Sequence, residues 1–151
     1  MLTFKKYLKE CFTAITAFGT AYFYSLLIIF LFIINQKTKA MHLLIALPIC
    51  YILVLTFRLF YFKERPEKED YFNLFTKLNA SSFPSLHTFT FTLTATVLST
   101  ITKTTKTTIF FYTIALLVAY SRLYIKKHYM SDIFAGLVLG ILASIIYLLL
   151  T

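Results

Sequence analysis

Three short segments of this sequence hold the side chains that are suited to chemistry. They are Arg58 to Arg65-Pro66, then Pro84-Ser85-Leu86-His87, then Ser121-Arg122 through His128 to Asp132. A guanidinium group keeps its charge and matches two phosphate oxygens at once. The segments therefore predict a phosphate site, in which Arg58, Arg65 and Arg122 stabilise the charge that builds on the equatorial oxygens during phosphoryl transfer.

Two histidines and a carboxylate complete this set. His128 and Asp132 are four positions apart, and on a helix or in its first turn this spacing brings the carboxylate within reach of one imidazole nitrogen. With that nitrogen held, the other is free to attack phosphorus and form a phosphohistidine. His87 then suits the general acid that protonates the leaving oxygen and later takes a proton from water.

The elements that carry these segments are predicted to be membrane helices. A helix needs about 20 largely apolar residues to cross a bilayer. Five stretches without Asp, Glu, Lys or Arg give five predicted spans, namely Cys11–Gln36, Ala40–Phe57, Leu78–Thr102, Thr107–Ser121 and Ile133–Thr151. Alternating crossings place all three chemical segments on one membrane face, together with the N-terminus.

The composition also favours a membrane protein, with residues 1–151 forming a single domain. Hydrophobic residues make up 59% of the chain, and 15 Lys+Arg against 6 Asp+Glu give a formal net charge of +9. Because the basic residues lie between long apolar runs, anionic lipid is a better predicted partner than nucleic acid. Ahead of the first span, Lys5, Lys6 and Lys9 among apolar residues predict an amphipathic helix on the membrane surface or a solvated leader.

Several other residues are predicted to be structural. Gly136 and Gly140 form a G-x-x-x-G pattern, which lets two helices approach closely in lipid. Cys11 and Cys50 lie in apolar runs without metal-ligand spacing and are predicted to be core residues. His42 is also assigned a structural role.

The long connection between the second and third spans carries the charged run KERPEKED. Lys63, which opens this run, is interpreted as a membrane-surface charge. The acidic residues are interpreted as a solvated run rather than a cation site, and they are Glu64, Glu67, Glu69 and Asp70.

In the order and spacing of its chemical residues the sequence resembles the type-2 phosphatidic acid phosphatase family. The family signature is Lys, six residues, Arg-Pro; then Pro-Ser-Gly-His; then Ser-Arg, five residues, His, three residues, Asp. Here Arg58 stands in place of the lysine and Leu86 in place of the glycine, and the third block matches without change. The matched residues run from Arg58 to Asp132, about half of the chain.

The resemblance implies an all-α fold, a polytopic membrane helix bundle. It also implies hydrolysis of a lipid phosphomonoester or diphosphate with no metal and no other cofactor. In this reaction His128 attacks, Asp132 orients it and His87 protonates the leaving group. The residues that the resemblance assigns to phosphate binding are Arg58, Arg65, Ser85, Arg122 and Leu86, the last of which keeps the backbone N–H of the family glycine but adds bulk.

The resemblance does not identify which lipid is the substrate. Small bacterial members of the family act on undecaprenyl pyrophosphate, phosphatidylglycerophosphate, phosphatidic acid or the 1-phosphate of lipid A, and the motifs contact only the phosphate. Such relatives usually work on the outer face of the inner membrane. We therefore predict a bacterial inner-membrane protein with a periplasmic site and with Lys37 and Lys103 in the cytoplasm, although the positive-inside rule weakly favours the opposite orientation.

Other functions would use part of the same residues. A phosphotransferase that passes the phosphoryl group from His128 to another lipid shares all of them. A lipid-binding or transport protein needs the cationic pocket but has no use for His128 and Asp132 beside His87. A serine acyl hydrolase could be built from Ser85, a histidine and Asp132. However, this sequence has no G-x-S-x-G elbow, and the three arginines would have no role in such an enzyme.

Overall fold

The structure, a computed structural model, describes residues 2–151, with side chains from Thr3 onward. Met1, the first residue of the predicted domain, lies outside the described residues. Within this part of the chain every regular element is helical. The α-helices are α1 (Leu2–Thr16), α2 (Ala21–Ile33), α3 (Lys37–Phe60), α4 (Leu74–Ala80), α5 (Leu86–Thr102), α6 (Thr105–Tyr124) and α7 (Met130–Leu150), and a 3-10 turn, Ala17–Gly19, joins α1 to α2.

Among residues 2–151, three helices are long and apolar enough to cross a bilayer. They are α3, α6 and α7, with 24, 20 and 21 residues. Their outer faces expose large apolar side chains such as Ile45, Phe110 and Leu142, as expected where a helix contacts lipid tails. The predicted all-α membrane helix bundle is confirmed, and five spans is an approximate count.

The predicted first span consists of two helices rather than one. The helical segments Thr3–Gly19 and Ala21–Ile33 are bent by 54° relative to each other. The break is at Thr20, whose backbone is extended and whose side chain accepts a hydrogen bond from the amide of Phe23 at 3.4 Å. A threonine in this position caps a new helix, so the chain bends here instead of running straight.

α1 packs against the C-terminal end of α6. The ring of Phe12 lies 5.4 Å from that of Tyr120 and 4.5 Å from that of Tyr124, measured between centroids. Thr16 Oγ1 lies 2.8 Å from Ser121 Oγ. The three lysines of α1 remain exposed. The N-terminal residues thus form a helix, as the amphipathic pattern predicts, and one side of it belongs to the bundle.

The two cysteines lie in different surroundings. Cys50 is buried within α3, whereas Cys11 is exposed on α1. The prediction of a core position is therefore confirmed for Cys50 and wrong for Cys11. The reason is that α1 contacts the bundle along one side only, so most of its residues face outward.

α5 is the central helix of the bundle, although it has only 17 residues. At about 1.5 Å per residue it is about 25 Å long, shorter than the roughly 30 Å hydrocarbon core of a bilayer. Each residue from Thr88 to Val97 is buried. Four of the five buried threonines donate to carbonyls one turn earlier, as Thr92 Oγ1 does to Thr88 O at 2.8 Å, and the hydroxyl of the fifth, Thr88, pairs with Ser85 Oγ. Their hydroxyl groups are therefore satisfied inside the bundle.

The predicted third span, Leu78–Thr102, is too long. Its first residues belong to α4, which ends at Ala80, and the chain is irregular until Ser85 caps α5. Hydropathy did not show this division because the residues between the two helices are uncharged. The irregular residues position the backbone of the second chemical segment.

α5 and α7 are in close contact along the G-x-x-x-G face of α7. A Cβ placed on Gly140 would lie 2.5 Å from Thr92 Cβ, and one on Gly136 would lie 2.6 Å from the carbonyl oxygen of Ser85. Real Cβ atoms do not approach other atoms so closely. The two helices are therefore as near as the glycines permit, in agreement with the packing role predicted from their spacing.

We expect Gly140→Ala to destabilise the fold by about 1–3 kcal/mol, because overpacking at this contact exceeds the gain of about 1 kcal/mol in helix propensity. The measurement is thermal unfolding in detergent followed by circular dichroism. Val138→Ile is the matched control, since it adds the same methylene to the same helix at an exposed position. An equal melting temperature for both variants would contradict the close contact.

Candidate active site

The three chemical segments meet at one end of the bundle. Arg58 lies in the last turn of α3, and its Nη1 and Nη2 donate to the carbonyl oxygens of Leu78 and Pro84 at 3.2 and 3.1 Å. The amide of Ser85 donates to the carbonyl of Asp132 at 3.0 Å. The hydrogen bonds of Arg58 therefore join the first chemical segment to the second. The hydrogen bond between Ser85 and Asp132 joins the second segment to the third.

The other two arginines reach this end of the bundle from different elements. Arg65 lies in the connection between α3 and α4, where its Nη2 donates to the carbonyl of Asn79 at 2.7 Å. Arg122 lies in the last turn of α6, with Nη1 3.5 Å from Thr16 Oγ1. Arg58 and Arg122 are buried, and the three positive charges act on one another. Gathering like charges away from water is costly, and a bound anion would offset that cost.

The Nε atom of each of these arginines is a buried donor without a partner in the protein. Among residues 3–151, the buried side-chain nitrogen and oxygen atoms with no hydrogen-bond partner are Nε of Arg58, Arg65 and Arg122 and Nδ1 of His42. Buried polar groups are normally paired. Three unpaired N–H donors on interacting guanidinium groups can bind the oxygens of a phosphoryl group.

His128 is held by a backbone carbonyl. Its Nδ1 lies 2.7 Å from the carbonyl oxygen of Ser82 and 3.8 Å from Oδ2 of Asp132. Because a carbonyl oxygen can only accept a hydrogen bond, Nδ1 carries the proton and the lone pair of the neutral ring is on Nε2.

The sequence predicted Asp132 as the partner that sets this tautomer, and in the structure Ser82 has the shorter contact. The difference arises because His128 precedes α7, which begins at Met130. Helical spacing therefore does not apply across the pair. The Ser82 contact was missed because a backbone carbonyl has no signal in the sequence.

The surroundings of His128 keep its imidazole neutral. Burial lowers the pKa of His128 to about 4; Asp132 and the Ser82 carbonyl oppose this shift, and the charges of Arg122 and Arg65 add to it. At neutral pH Nε2 is therefore unprotonated, as a nucleophile must be.

Asp132 is anchored by groups other than the imidazole. Its Oδ1 accepts from Nζ of Lys63 at 2.6 Å, and its Oδ2 accepts from the amide of Tyr129 at 2.8 Å. The carboxylate is fully buried, while the Lys63 side chain is 24% exposed. The interpretation of Lys63 as a surface charge is therefore wrong. A lysine within a charged run cannot be distinguished from its neighbours by sequence.

Ser85 and Leu86 start α5. Ser85 is the N-cap, and its Oγ lies 3.0 Å from Thr88 Oγ1 and 3.5 Å from the Thr88 amide. The first amides of α5 and of α7 have no carbonyl partner one turn earlier and carry partial positive charge, which favours an anion. The side chain of Leu86 packs against the apolar core of the bundle, which accommodates its extra bulk.

The bend between α1 and α2 covers His87. A Cβ placed on Gly19 would lie 2.2 Å from Cδ2 of the His87 ring, and Thr16 is near Arg122. The sequence interpretation did not include these residues in the site. A Gly19-Thr20 pair inside an apolar run is the signal that could have indicated a helix break here.

The acidic run of the α3–α4 connection forms ion pairs. Glu69 Oε1 lies 2.6 Å from Arg65 Nη1 and 2.9 Å from Lys127 Nζ, and Glu64 pairs with Lys68 at 3.2 Å. Burial alone would raise the pKa of Glu69, but Lys127 and Arg65 hold it below its ordinary value. The ionised carboxylate thus ties this connection to the one between α6 and α7.

Comparisons with known proteins show the same fold in two solved structures. The fold is similar to the crystal structure of LpxE from Aquifex aeolicus, with 33% sequence identity and a TM-score of 0.77 over 93% of this chain and 85% of that one. It is also similar to the crystal structure of a transmembrane PAP2-type phosphatidylglycerolphosphate phosphatase from Bacillus subtilis, with 22% identity and a TM-score of 0.75 over 93% and 74%. The second likeness concerns the fold alone. No curated protein matches the chain.

The sequence also matches a family over residues 39–151, described as the PAP2 superfamily. This range contains all three chemical segments and the helices α5, α6 and α7 that position the second and third. The helices α1 and α2 precede it, as does the turn Ala17–Gly19 between them, which covers His87. The chain therefore belongs to the PAP2 superfamily.

Proposed function

We propose that this protein hydrolyses the phosphate or diphosphate group of a membrane lipid through a phosphohistidine on His128. Membership of the PAP2 superfamily, whose matched range contains all three chemical segments, supports a phosphatase. The observation that carries the mechanism is the set of three unpaired arginine Nε–H donors beside a neutral imidazole whose Nδ1 is held by Ser82.

In the first half of the reaction, the lone pair on Nε2 of His128 attacks phosphorus. The bond between phosphorus and the leaving oxygen breaks, and His87, in its protonated form, gives a proton to that oxygen. Arg58, Arg65 and Arg122 stabilise the charge on the three equatorial oxygens. These cations and the helix N-termini supply the charge that a metal ion would otherwise bring, so no metal takes part.

In the second half, water attacks the phosphohistidine. His87, now neutral, takes a proton from the water, the N–P bond breaks, and its electron pair returns to Nε2 of His128. Phosphate leaves, and both histidines regain their starting states. Ser85, at the N-cap of α5, and the amide of Leu86 are the further proposed phosphate contacts.

An apolar cavity suits the lipid part of the substrate. It has a volume of about 360 Å³ and lies between α2, α3 and α5, and its lining includes Gly19, Tyr24, Leu47 and Leu86. Gly19 also contacts His87, the proposed general acid. The leaving oxygen must lie beside this acid, so the cavity is adjacent to the side of the phosphate from which a lipid chain departs.

We place the site on the periplasmic face of a bacterial inner membrane. The support is the orientation of bacterial relatives of this kind, against a weak opposite tendency of the positive-inside rule. Since α5 begins at the site and ends at Thr102, the turn at Lys103 then faces the cytoplasm.

We expect His128→Ala to abolish phosphate release and Asp132→Asn to lower kcat by roughly 10²- to 10⁴-fold, because the nucleophile or its neighbouring carboxylate is lost. His42→Ala, in α3, is the control and should keep activity. The assay uses purified protein in detergent, a panel of lipid phosphates and EDTA throughout. Turnover by His128→Ala would contradict the mechanism, and loss in EDTA that magnesium restores would contradict metal independence. A phosphorylated second lipid as product would indicate a transferase.

We expect His87→Ala to reduce kcat more for an alkyl phosphate than for a nitrophenyl phosphate. A general acid contributes about 10²- to 10⁴-fold when the leaving oxygen is strongly basic and much less when it is already stable as an anion. The measurement is the ratio of the two kcat values in wild type and variant. Equal losses on both substrates would assign His87 to binding instead.

We expect Lys68→Cys, in a background with Cys11→Ser and Cys50→Ser, to react with an impermeant maleimide in intact spheroplasts. Lys68 is 80% exposed in the connection next to the site. Lys103→Cys in the turn at the opposite end is the matched control and should react only after lysis. The reverse pattern would place the site in the cytoplasm.

A further inference from the structure

Lys63 forms hydrogen bonds with both residues that flank the imidazole of His128, namely Ser82 and Asp132. Its carbonyl oxygen accepts from the amide of Ser82 at 2.8 Å, and the carbonyl of Ser82 accepts from Nδ1 of His128. Its Nζ donates to Oδ1 of Asp132 at 2.6 Å. Its amide also donates to Ser81 Oγ at 3.2 Å. The one residue thus joins the α3–α4 connection to the carbonyl and to the carboxylate beside the nucleophile.

We propose that Lys63 is a positioning residue for His128, and that it acts by holding Asp132 and Ser82 in place beside the ring. The inference rests on the proposed function, in which His128 is the nucleophile. The backbone of Lys63 holds Ser82, and its ammonium group holds Asp132. Only the second contact depends on the side chain, so it can be removed without disturbing the first.

The contacts of the ammonium group distinguish it from a surface charge. Besides Asp132, Nζ donates to Ser131 Oγ at 2.8 Å and lies 4.5 Å from the centroid of the Tyr129 ring. By contrast Lys68, in the same connection, is 80% exposed and pairs with an exposed glutamate. Removing the ion-pair partner of a fully buried carboxylate strongly destabilises a protein, whereas an exposed ion pair contributes little to stability.

The charge of Lys63 also bears on the protonation of His128. The charged groups that act on this ring are Asp132 from α7, Arg122 from α6 and Arg65 from the α3–α4 connection, and His87 of α5 interacts with it as well. Asp132 is the member of this set that favours a proton on the ring, and Lys63 offsets its charge. Removing Lys63 would therefore raise the pKa of His128 from about 4, and Nε2 would become protonated at a higher pH.

The test compares Lys63→Met with Lys68→Met in the lipid phosphate assay. We expect Lys63→Met to lower kcat by about 10- to 100-fold, the size found when the outer partner of a metal-bound imidazole is lost, with KM changed by less than about 3-fold. Lys68→Met should match wild type, and Lys63→Arg should recover most of the loss. Equal kcat for Lys63→Met and Lys68→Met would overturn the proposal.

A second measurement separates positioning from a general loss of structure. In ¹⁵N-imidazole NMR, with the His128 signal assigned by its absence in His128→Gln, wild type should show the Nδ1-protonated neutral ring down to about pH 5. Lys63→Gln removes the charge but keeps a donor, and it should shift the titration of His128 to higher pH. An unchanged titration would count against the proposal even if Lys63→Met fails to fold.

A double-mutant cycle completes the test. If Lys63 acts through Asp132, Lys63→Met should have little further effect on kcat in an Asp132→Asn background. Full additivity would show that the two residues act independently. Activity in His128→Ala would refute the proposed function itself, whereas an inactive His128→Ala with a fully active Lys63→Met refutes only the role of Lys63.

Discussion

The close contact between the first turns of α5 and α7 is the constraint on which the site depends. The amide of Ser85 donates to the carbonyl of Asp132, and Gly136 leaves no room for a side chain beneath the Ser85 carbonyl. Because the two helix N-termini are joined in this way, their partial positive charges lie at the same end of the bundle. One backbone contact thereby joins the start of α5, which carries His87, to the start of α7, which carries Asp132.

The second constraint is the burial of positive charge. Arg58 is only 4% exposed and Arg122 only 6% exposed, and a buried guanidinium group is tolerated when its donors are satisfied. The structure meets this condition in part, with the carbonyls of Leu78 and Pro84 bonded to Arg58. The Nε donors stay unpaired. The fold thus satisfies enough donors to hold the arginines in place and leaves the others for an anion.

Burial also determines the protonation state of His128, the proposed nucleophile. Burial and the nearby arginines favour a neutral imidazole, and the Ser82 carbonyl decides which nitrogen keeps the proton. Asp132, 3.8 Å from the ring, adds a negative charge that Lys63 balances. Without this lysine the carboxylate would favour a proton on His128 more strongly, and the imidazole would stay neutral over a narrower pH range.

Much of the fold could be predicted from the sequence because membrane helices are long apolar runs. α3, α6 and α7 follow that rule. The rule failed at Thr20, where one N-cap divides an uncharged run into two helices, and at α4, where uncharged residues form a short helix and an irregular segment. In both cases hydrogen bonding, which hydropathy does not measure, determines where a helix begins.

The sequence by itself determined which residue types are present and in what order, and so the three chemical segments and the family to which they point. The spacing of two residues in the sequence predicts that their side chains are close together only when both lie in the same helix or strand. The tertiary structure alone decided that Ser82 and Lys63 flank His128 and Asp132, and that Gly19 covers His87. These contacts join residues far apart in sequence. One uses the backbone carbonyl of Ser82 and another depends on the missing side chain of Gly19, so the residue types of the three chemical segments do not report them.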